Sequence, residues 1–393
     1  MKTIRLKAGK ERSLLRRHPW VFDTAIEEGR ADPGETVRVE AADGRFLAWG
    51  AYAPASRLRV RAWSFDETER IDAGFFERRL RAALALRARL AIDSDGVRLV
   101  HGESDGLPGL IVDRYADTLV AQFGSSGVER HKALLADLLV RLTGCAQLYE
   151  RSDTGVRQLE GLPPVTGWLR GSGPTEVTIH EHGWRLTLDV ATGHKTGYYL
   201  DQRDSRRACA ELVRRFGCAE VFNGYCYTGG FTLAALSGGA RHVVSVDSSA
   251  PALQRAQAHV ALNGFDAARC TWLDADVPAT LRTFVAEGRR FDLIVLDPPK
   301  LAPSAAHLER AARAYKDVNR LAFRLLPPGG VLLTYSCSGA VGVELFQSIV
   351  ASAAHEAGVE AVILGRHGGA PDHPVGLAFP EGEYLKGLVV MRR

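Results

Sequence analysis

No stretch of this 393-residue chain is apolar for long enough to span a bilayer. The opening residues, Met1-Lys-Thr-Ile-Arg-Leu-Lys7, lack the apolar middle of a secretory signal. Together these absences lead to the expectation of a cytoplasmic protein without a membrane partner. Six cysteines (Cys145, Cys209, Cys218, Cys226, Cys270 and Cys337) are scattered with no C-x-x-C pair. That argues against a zinc site, and no metal is expected. Nor do scattered cysteines in a chain this large build a disulfide framework; they are expected to be reduced and mostly buried. The G-x-G-x-x-G spacing of dinucleotide-binding proteins is missing, which excludes that fingerprint in its strict form. Internal repeats and low-complexity tails are absent as well.

What is present reads as ordinary globular sequence. Hydrophobic residues make up 46% and the length exceeds what one core usually holds, so two or three domains are expected. The net charge of +4 is unevenly placed. Residues 1–66 carry thirteen Lys/Arg against nine Asp/Glu, and within the first twenty-two residues seven bases face one acid. A local basic face of this kind suits a polyanion. Charge alone is more often only a solvated surface.

The pattern changes twice along the chain. Residues 1–70 read as small-domain β structure: Glu35–Glu40 and Leu58–Trp63 alternate, and Ala42-Asp-Gly-Arg45 is a hairpin turn. Residues 71–176 open with a helical stretch from Ala73 to Asp93, where Leu80, Leu84, Leu86 and Leu90 recur at near-helical spacing. Strands either side of Ala116-Asp117, a helix over Arg130–Leu142 and a strand at Gln147–Arg151 complete a small α+β unit. Pro163-Pro164 and Gly171-Ser-Gly-Pro174 punctuate its end. Residues 177–393 alternate helices with apolar strands at Ala219–Phe222, His242–Val246, Cys270–Leu273, Leu293–Leu296 and Val331–Thr334. The helices fit Ser205–Phe216, Gly230–Ser237, Ala250–Asn263, Pro278–Glu287 and His307–Leu326. Such alternation means an α/β domain with a parallel sheet covered on both faces.

The first of these strands runs into Asn223-Gly-Tyr-Cys-Tyr-Thr-Gly-Gly-Phe231, a turn whose glycines let backbone N–H groups approach a ligand. The next strand ends in Asp247, placed to accept both hydroxyls of a ribose. The third ends in Leu273-Asp-Ala-Asp276, with an acid that could meet an adenine amino group. Any one of these occurs in many α/β domains. In this order they resemble the class I S-adenosylmethionine (SAM) methyltransferases.

Two further strands end in chemistry. Leu293–Leu296 runs into Asp297-Pro-Pro-Lys300, a carboxylate held by two prolines. Val331–Thr334 runs into Tyr335-Ser-Cys-Ser338, which carries a lone thiol. Open parallel sheets bind ligands at the carboxyl ends of their strands, so both groups are expected to face one crevice. A strand-end cysteine is by itself usually a small buried hydrophobe. Beside a carboxylate and a flat ring it suits nucleophilic attack on a pyrimidine. Cytosine C5 is too poor a nucleophile to take a methyl group unaided. A thiolate adding at C6 makes the ring enamine-like, and this splits one hard step into easier ones. Cys337 is assigned that role. Asp297 is assigned to the cytosine N3 or amine, where it stabilises charge developing during attack. Lys300 would contact a phosphate or lower a thiol pKa, unless it is simply a solvated loop lysine. The base that removes the C5 proton is not identifiable. The target base must leave its stack to reach these groups.

The runs Gly193-His-Lys-Thr-Gly-Tyr-Tyr-Leu-Asp-Gln-Arg203, Tyr227-Thr-Gly-Gly-Phe231, Leu296-Asp-Pro-Pro-Lys300 and Tyr335-Ser-Cys-Ser338 resemble the ribosomal RNA large subunit methyltransferase I family, SAM-dependent cytosine-5 methyltransferases of 23S rRNA. The resemblance covers almost the whole chain. Ser13–Phe22 resembles the family's N-terminal PUA domain, an RNA-binding β-barrel. Glu103–Arg114 and Tyr149–Asp153 resemble its central domain, and Pro380–Gly387 its C-terminal strand region. The resemblance implies a PUA-like barrel, a small α+β domain and a Rossmann-like SAM domain. It also implies that Asn223, Tyr225 and Gly229, with Thr228 in the same turn, line the methionine part of SAM. Asp247 would hold the ribose, Asp276 or else Asp274 the adenine, Gln202 would close over the cofactor, and Asp297 would also contact it. Arg12, Arg16 and Arg17 become candidates for RNA phosphates. Leu301 departs from the family, whose members often carry an aromatic residue there.

Two other readings stay open: an N-methyltransferase acting on a purine, for which Asp-Pro-Pro would serve without any thiol, and a non-catalytic RNA-binding protein that holds SAM as a structural ligand. The modified nucleotide, free RNA against an assembled particle, and a homodimer against a monomer are not readable.

Overall fold

The computed structural model describes residues 2–302 and 305–393. They form two compact units. One comprises Met1–Glu181, Leu188–Leu200 and Pro371–Gly382; the other His182–Thr187, Asp201–Ala370 and Glu383–Arg393. Among the described residues no helix is long and apolar enough to cross a membrane.

The first unit holds two cores. Strands β1 (Thr3–Leu6), β2 (Trp20–Phe22), β3 (Ile26–Glu28), β4 (Thr36–Glu40), β5 (Phe46–Tyr52) and β6 (Leu58–Ser64) make a six-stranded sheet, with helix α1 (Arg12–Leu15) between the first two. Its order is β2-β6-β5-β4-β1-β3, antiparallel except for β1 against β4. Alternation buries one residue in two. Val37 and Val39 point into a core with Ile4, Leu6, Val60 and Ala62, while Arg38 and Glu40 pair on the other side. The expected hairpin joins β4 to β5 around Gly44.

The second core lies between helices and a five-stranded sheet. Helix α2 (Ala73–Arg89) precedes β7 (Gly96–His101), β8 (Leu110–Tyr115) and β9 (Thr118–Phe123). Helices α3 (Ser126–Arg130) and α4 (Lys132–Thr143), strand β10 (Gln147–Ser152), helix α5 (Gly155–Leu159) and strand β11 (Val165–Arg170) follow. The order is β11-β10-β9-β8-β7. The expected leucine face of α2 is displaced. Phe76, Leu80, Ala83 and Arg87 are buried, whereas Leu86 faces solvent. Arg87 can be buried because its guanidinium grips both oxygens of Asp105, at 2.6 and 2.8 Å. β7 and β11 flank the expected strands, so the prolines at 163 and 164 mark a loop before the last strand rather than the end of the sheet.

Strands β12 (Glu176–Glu181) and β13 (Trp184–Asp189) form a hairpin; His182–Thr187 belong to the second unit and Leu188–Leu200 to the first, and from Asp201 to Ala370 the chain runs in the second unit. There helices α6 (Arg203–Phe216), α7 (Gly230–Gly238), α8 (Ala250–Leu262), α9 (Val277–Ala286), α10 (Leu308–Leu325) and α11 (Val343–Glu356) alternate with strands. These are β14 (Glu220–Gly224), β15 (His242–Asp247), β16 (Cys270–Asp274), β17 (Leu293–Leu296), β18 (Val331–Ser336), β19 (Ala361–His367) and β20 (Lys386–Arg392). Their order is β16-β15-β14-β17-β18-β20-β19. The first five are parallel, and β20 inserts antiparallel between β18 and β19. All four residues of β17 are buried, as a strand covered on both faces requires. Each such side chain contributes roughly 1.5–3 kcal/mol on burial. The chain reverses direction across the sheet between β14 and β17, where open α/β sheets bind ligands.

Candidate active site

Parallel register brings the strand ends to one level. Gly224 pairs with Val246 on one side and Leu296 on the other, Leu296 pairs with Thr334, and Asp247 with Asp274. The residues that follow are therefore released along one edge: Tyr225 after β14, Asp247 at the tip of β15, Asp297 after β17 and Cys337 after β18.

The turn after β14 is strained. Tyr225 and Tyr227 both sit at positive φ, 62° and 47°, where residues with a Cβ are uncommon. Bonds on both sides hold them. Cys226 N–H donates to Val246 O at 3.0 Å, Tyr227 N–H to Asp247 Oδ2 at 2.8 Å, and Gly229 N–H to Cys226 O at 2.8 Å. Gly229 then starts α7 at φ 77°, and a Cβ on it would lie 2.8 Å from that of Ala256. Only glycine lets the turn close against α8. His259, fully buried on α8, donates from Nδ1 to Thr228 O at 2.8 Å. This positioning of the turn was not apparent from the sequence, where a lone histidine in an apolar helix looks like core.

Asp247 is half-buried. Besides Tyr227 it accepts from Ser249 N–H at 3.0 Å, through its other oxygen. A carboxylate has about four acceptor sites, so capacity for two hydroxyls remains. Among the described residues, the buried oxygens Asn223 Oδ1, Thr228 Oγ1 and Gln202 Oε1 have no hydrogen-bond partner. Asn223 is fixed from its amide side, donating to Thr232 Oγ1 at 3.0 Å. Buried polar atoms without partners are rare and call for a ligand or water. Acceptors on Asn223, Gln202 and Asp247, with the Thr228 hydroxyl, fit an amino acid carrying a ribonucleoside. Asp276 is exposed and caps α9 by accepting from Ala279 N–H at 2.8 Å. Asp274 is exposed at the end of β16.

Asp297 and Cys337 are each half-buried, directly after the adjacent strands β17 and β18. Gln202 Nε2 donates to Asp297 Oδ2 at 3.0 Å, so these two expected site residues are in direct contact. The thiol's loop is pinned from beneath. Ser336 Oγ donates to the Tyr315 hydroxyl at 3.0 Å, and Ser338 Oγ lies 3.2 Å from that hydroxyl. Ala302 N–H donates to Ser338 Oγ at 3.1 Å, tying the Asp-Pro-Pro-Lys loop to the cysteine loop. Burial pushes the Tyr315 pKa up; the serine hydrogen bonds pull it back, and the charges of Cys337 and Asp297 push it up again. Tyr315 thus stays a neutral phenol. Lys386, buried at the start of β20, donates to Ser338 O at 2.7 Å and Tyr384 O at 2.8 Å. Tyr315 and Lys386 were not singled out from sequence.

Pro298 is buried, while Pro299 and Lys300 are exposed. Cys226 is buried, and its thiol pKa is pushed well up by burial, which suits a spacer. Arg12, Arg16 and Arg17 lie exposed in the first unit, and Arg17 stacks on Phe65, 5.2 Å from the ring centroid. Among the described residues no group of three or more His, Cys, Asp or Glu is placed to hold a metal.

The chain is similar to known proteins over its whole length. A family model described as S-adenosylmethionine-dependent methyltransferase matches residues 108–374, and a PUA-like domain model matches residues 4–65. A protein from Aeromonas salmonicida is 50% identical over 99% of both chains. One from Alteromonas mediterranea is 48% identical over 98% of this chain and 97% of its own. Both are named ribosomal RNA large subunit methyltransferase I. The chain belongs to that family. Its cofactor is S-adenosylmethionine, and its fold is a PUA-like domain with a SAM methyltransferase domain. The solved structure of SMU.776 complexed with SAH covers 100% of both chains with a TM-score of 0.86 at 19% identity. A SAM-dependent methyltransferase from Agrobacterium tumefaciens covers 76% of this chain and 90% of its own with a TM-score of 0.53 at 16% identity. At such identities these two structures bear on the fold alone.

Proposed function

We propose that this member of the ribosomal RNA large subunit methyltransferase I family methylates C5 of a cytosine in 23S rRNA through a transient Cys337–C6 bond. The observation that carries the reading is a half-buried thiol beside the strand of a half-buried carboxylate, their loops joined by Ala302 N–H to Ser338 Oγ. Two groups that must meet one flat base are thereby held at a fixed spacing. Methylcytosine mapping by mass spectrometry tests it. 23S rRNA from cells lacking the protein should lose one methylcytosine, and the purified protein should restore it with labelled SAM. Restoration at a purine would refute the assignment.

When bound, SAM supplies an electrophilic methyl group. Asp247 takes the ribose hydroxyls, with Asp276 toward the adenine. Asn223, Tyr225, Thr228, Gly229 and Gln202 surround the methionine part, with Asp297 beside Gln202. The Cys337 thiolate adds to C6 and the ring electrons move toward N3, where Asp297 meets the developing charge. Once C5 carries the donated methyl group, departure of the C5 proton expels the thiolate from C6 and restores the ring. The work divides among three segments: residues 1–70 dock RNA, 71–176 link, and 177–393 carry the chemistry. A cytoplasmic site of action is part of this reading, because the substrate is ribosomal RNA.

Replacing Asp247 with Ala weakens SAM binding by about 2 kcal/mol, roughly thirtyfold, the cost of losing hydrogen bonds to a charged group. Calorimetric titration measures it, and an unchanged affinity would remove Asp247 from the ribose.

Replacing Arg12, Arg16 and Arg17 together with Ala weakens RNA binding and flattens its salt dependence. For every phosphate that is no longer neutralised, the slope of log K against log salt falls by about 0.7–0.9. SAM affinity is retained. Equal loss of both affinities would argue against a separate RNA-docking module.

A further inference from the structure

Lysine is almost never fully buried without a partner that needs it. Lys386 is 5% exposed. Across the antiparallel ladder its Cα partner is Ser336, the residue before Cys337. Its ammonium donates at 2.7 Å to the carbonyl of Ser338, the residue after Cys337, and at 2.8 Å to Tyr384 O. The lysine thus meets the chain on both sides of the cysteine, its backbone opposite Ser336 and its ammonium at Ser338. An ammonium has three donors, and the two carbonyls take two of them. Neither acceptor carries a formal charge. Burial lowers the Lys386 pKa, and the negative charge of an ionised Cys337 raises it. That interaction is mutual: what the thiolate does for the ammonium, the ammonium does for the thiolate. Reactive cysteines sit in such electropositive, partly exposed places, and Cys337 is half-buried.

We propose that Lys386 is a positioning residue that holds the Cys337 loop through Ser338 and draws the thiol toward its thiolate. The S–H bond breaks, its proton passes to solvent, and the electron pair stays on sulfur. Among the described residues, the titratable groups whose charges act on Lys386 or on the adjoining Tyr315 of α10 include Glu383 ahead of β20 and Asp297 and Lys300 after β17. Tyr315 is a neutral phenol, and the carboxylates of Asp297 and Glu383 oppose thiol ionisation. Lys386 and Lys300 favour it, and of these two only Lys386 is buried. The proposal rests on the cytosine reading only for what the thiolate attacks next.

The test is the pH dependence of iodoacetamide alkylation of Cys337 in the full chain, without RNA, read by peptide mass spectrometry. The wild-type midpoint should fall below the ordinary thiol value of about 8.5. Lys386→Gln keeps a donor for a carbonyl but removes the charge. It should raise the midpoint by about one pH unit or more, a roughly tenfold slower reaction near neutrality. Lys386→Arg should keep most of the wild-type shift. SAM titration of each variant reports on folding. Coincident wild-type and Gln profiles overturn the proposal. A wild-type midpoint at or above the ordinary value overturns it whatever the variants do. If the Gln variant fails to bind SAM, the Arg variant decides: retention of a low midpoint supports the charge, and loss of it overturns it. Thiol ionisation is read without any RNA product. A low-midpoint cysteine in a protein that makes no methylcytosine would defeat the cytosine reading and leave this one standing.

Discussion

Cys337→Ala should reduce methyl transfer to 23S rRNA by about 10⁴-fold or more while the variant still binds SAM. The size follows from the chemistry. Without a nucleophile at C6, C5 is too weak a nucleophile to take the methyl group, and removing a covalent nucleophile typically costs this order. The fold should survive, because the side chain is small and half-buried and the loop is held by bonds of Ser336, Ser338 and Lys386. Single-turnover transfer of labelled methyl from SAM measures the loss. RNA carrying 5-fluorocytosine at the target gives a second readout. Fluorine cannot leave as a proton, so the wild-type protein should accumulate an adduct that the Ala variant cannot form. The outcome also separates the competing chemistries. An N-methyltransferase acting on a purine needs no thiol and would keep full turnover in the variant. A protein that holds SAM only as a structural ligand would show no turnover even in its wild-type form.

The parts of this site that were legible in the sequence are those where one local segment carries the whole signal. Leu293–Leu296 is apolar on every residue because both faces of β17 are covered, and the register then places Asp297 at the sheet edge. The same logic located Val331–Thr334, but β18 runs on to Ser336. The extension comes from pairing with β20, fifty residues later in sequence. Local sequence holds no trace of that partner. Lys386 was therefore visible only as part of a C-terminal motif, with no role attached. Tyr315 was hidden for a related reason. It occupies a core-facing position of α10, and its hydroxyl matters only because Ser336 and Ser338 arrive from another strand. In α2 the leucine spacing misled, since a guanidinium bound by Asp105 took the place expected of Leu86. Periodicity reports which residues are apolar, whereas burial also admits a charge whose partner lies elsewhere in the chain.

Asp297→Asn is the second large loss expected, about 10²–10⁴-fold in kcat with SAM affinity retained. The substitution keeps the shape of the side chain and an oxygen for the Gln202 amide, which donates to Asp297 Oδ2 at 3.0 Å. What it removes is the negative charge and the capacity to carry a proton. When the thiolate adds at C6, charge builds on the ring around N3. A carboxyl group there can share or supply a proton as it develops, and an amide cannot. The loop cannot compensate by moving. Pro298 and Pro299 restrict its backbone, and Ala302 N–H ties it to Ser338. Asp297→Glu should therefore fail nearly as badly, because the longer side chain moves the carboxyl group while the backbone stays fixed. The two site variants should differ in which step they block. In trapping with 5-fluorocytosine RNA, Cys337→Ala abolishes the adduct, whereas Asp297→Asn slows its appearance and leaves a detectable final yield. Were Asp297→Asn to form the adduct at the wild-type rate, the carboxylate would have no part in thiol addition. Its place beside Gln202 would then reflect cofactor binding alone.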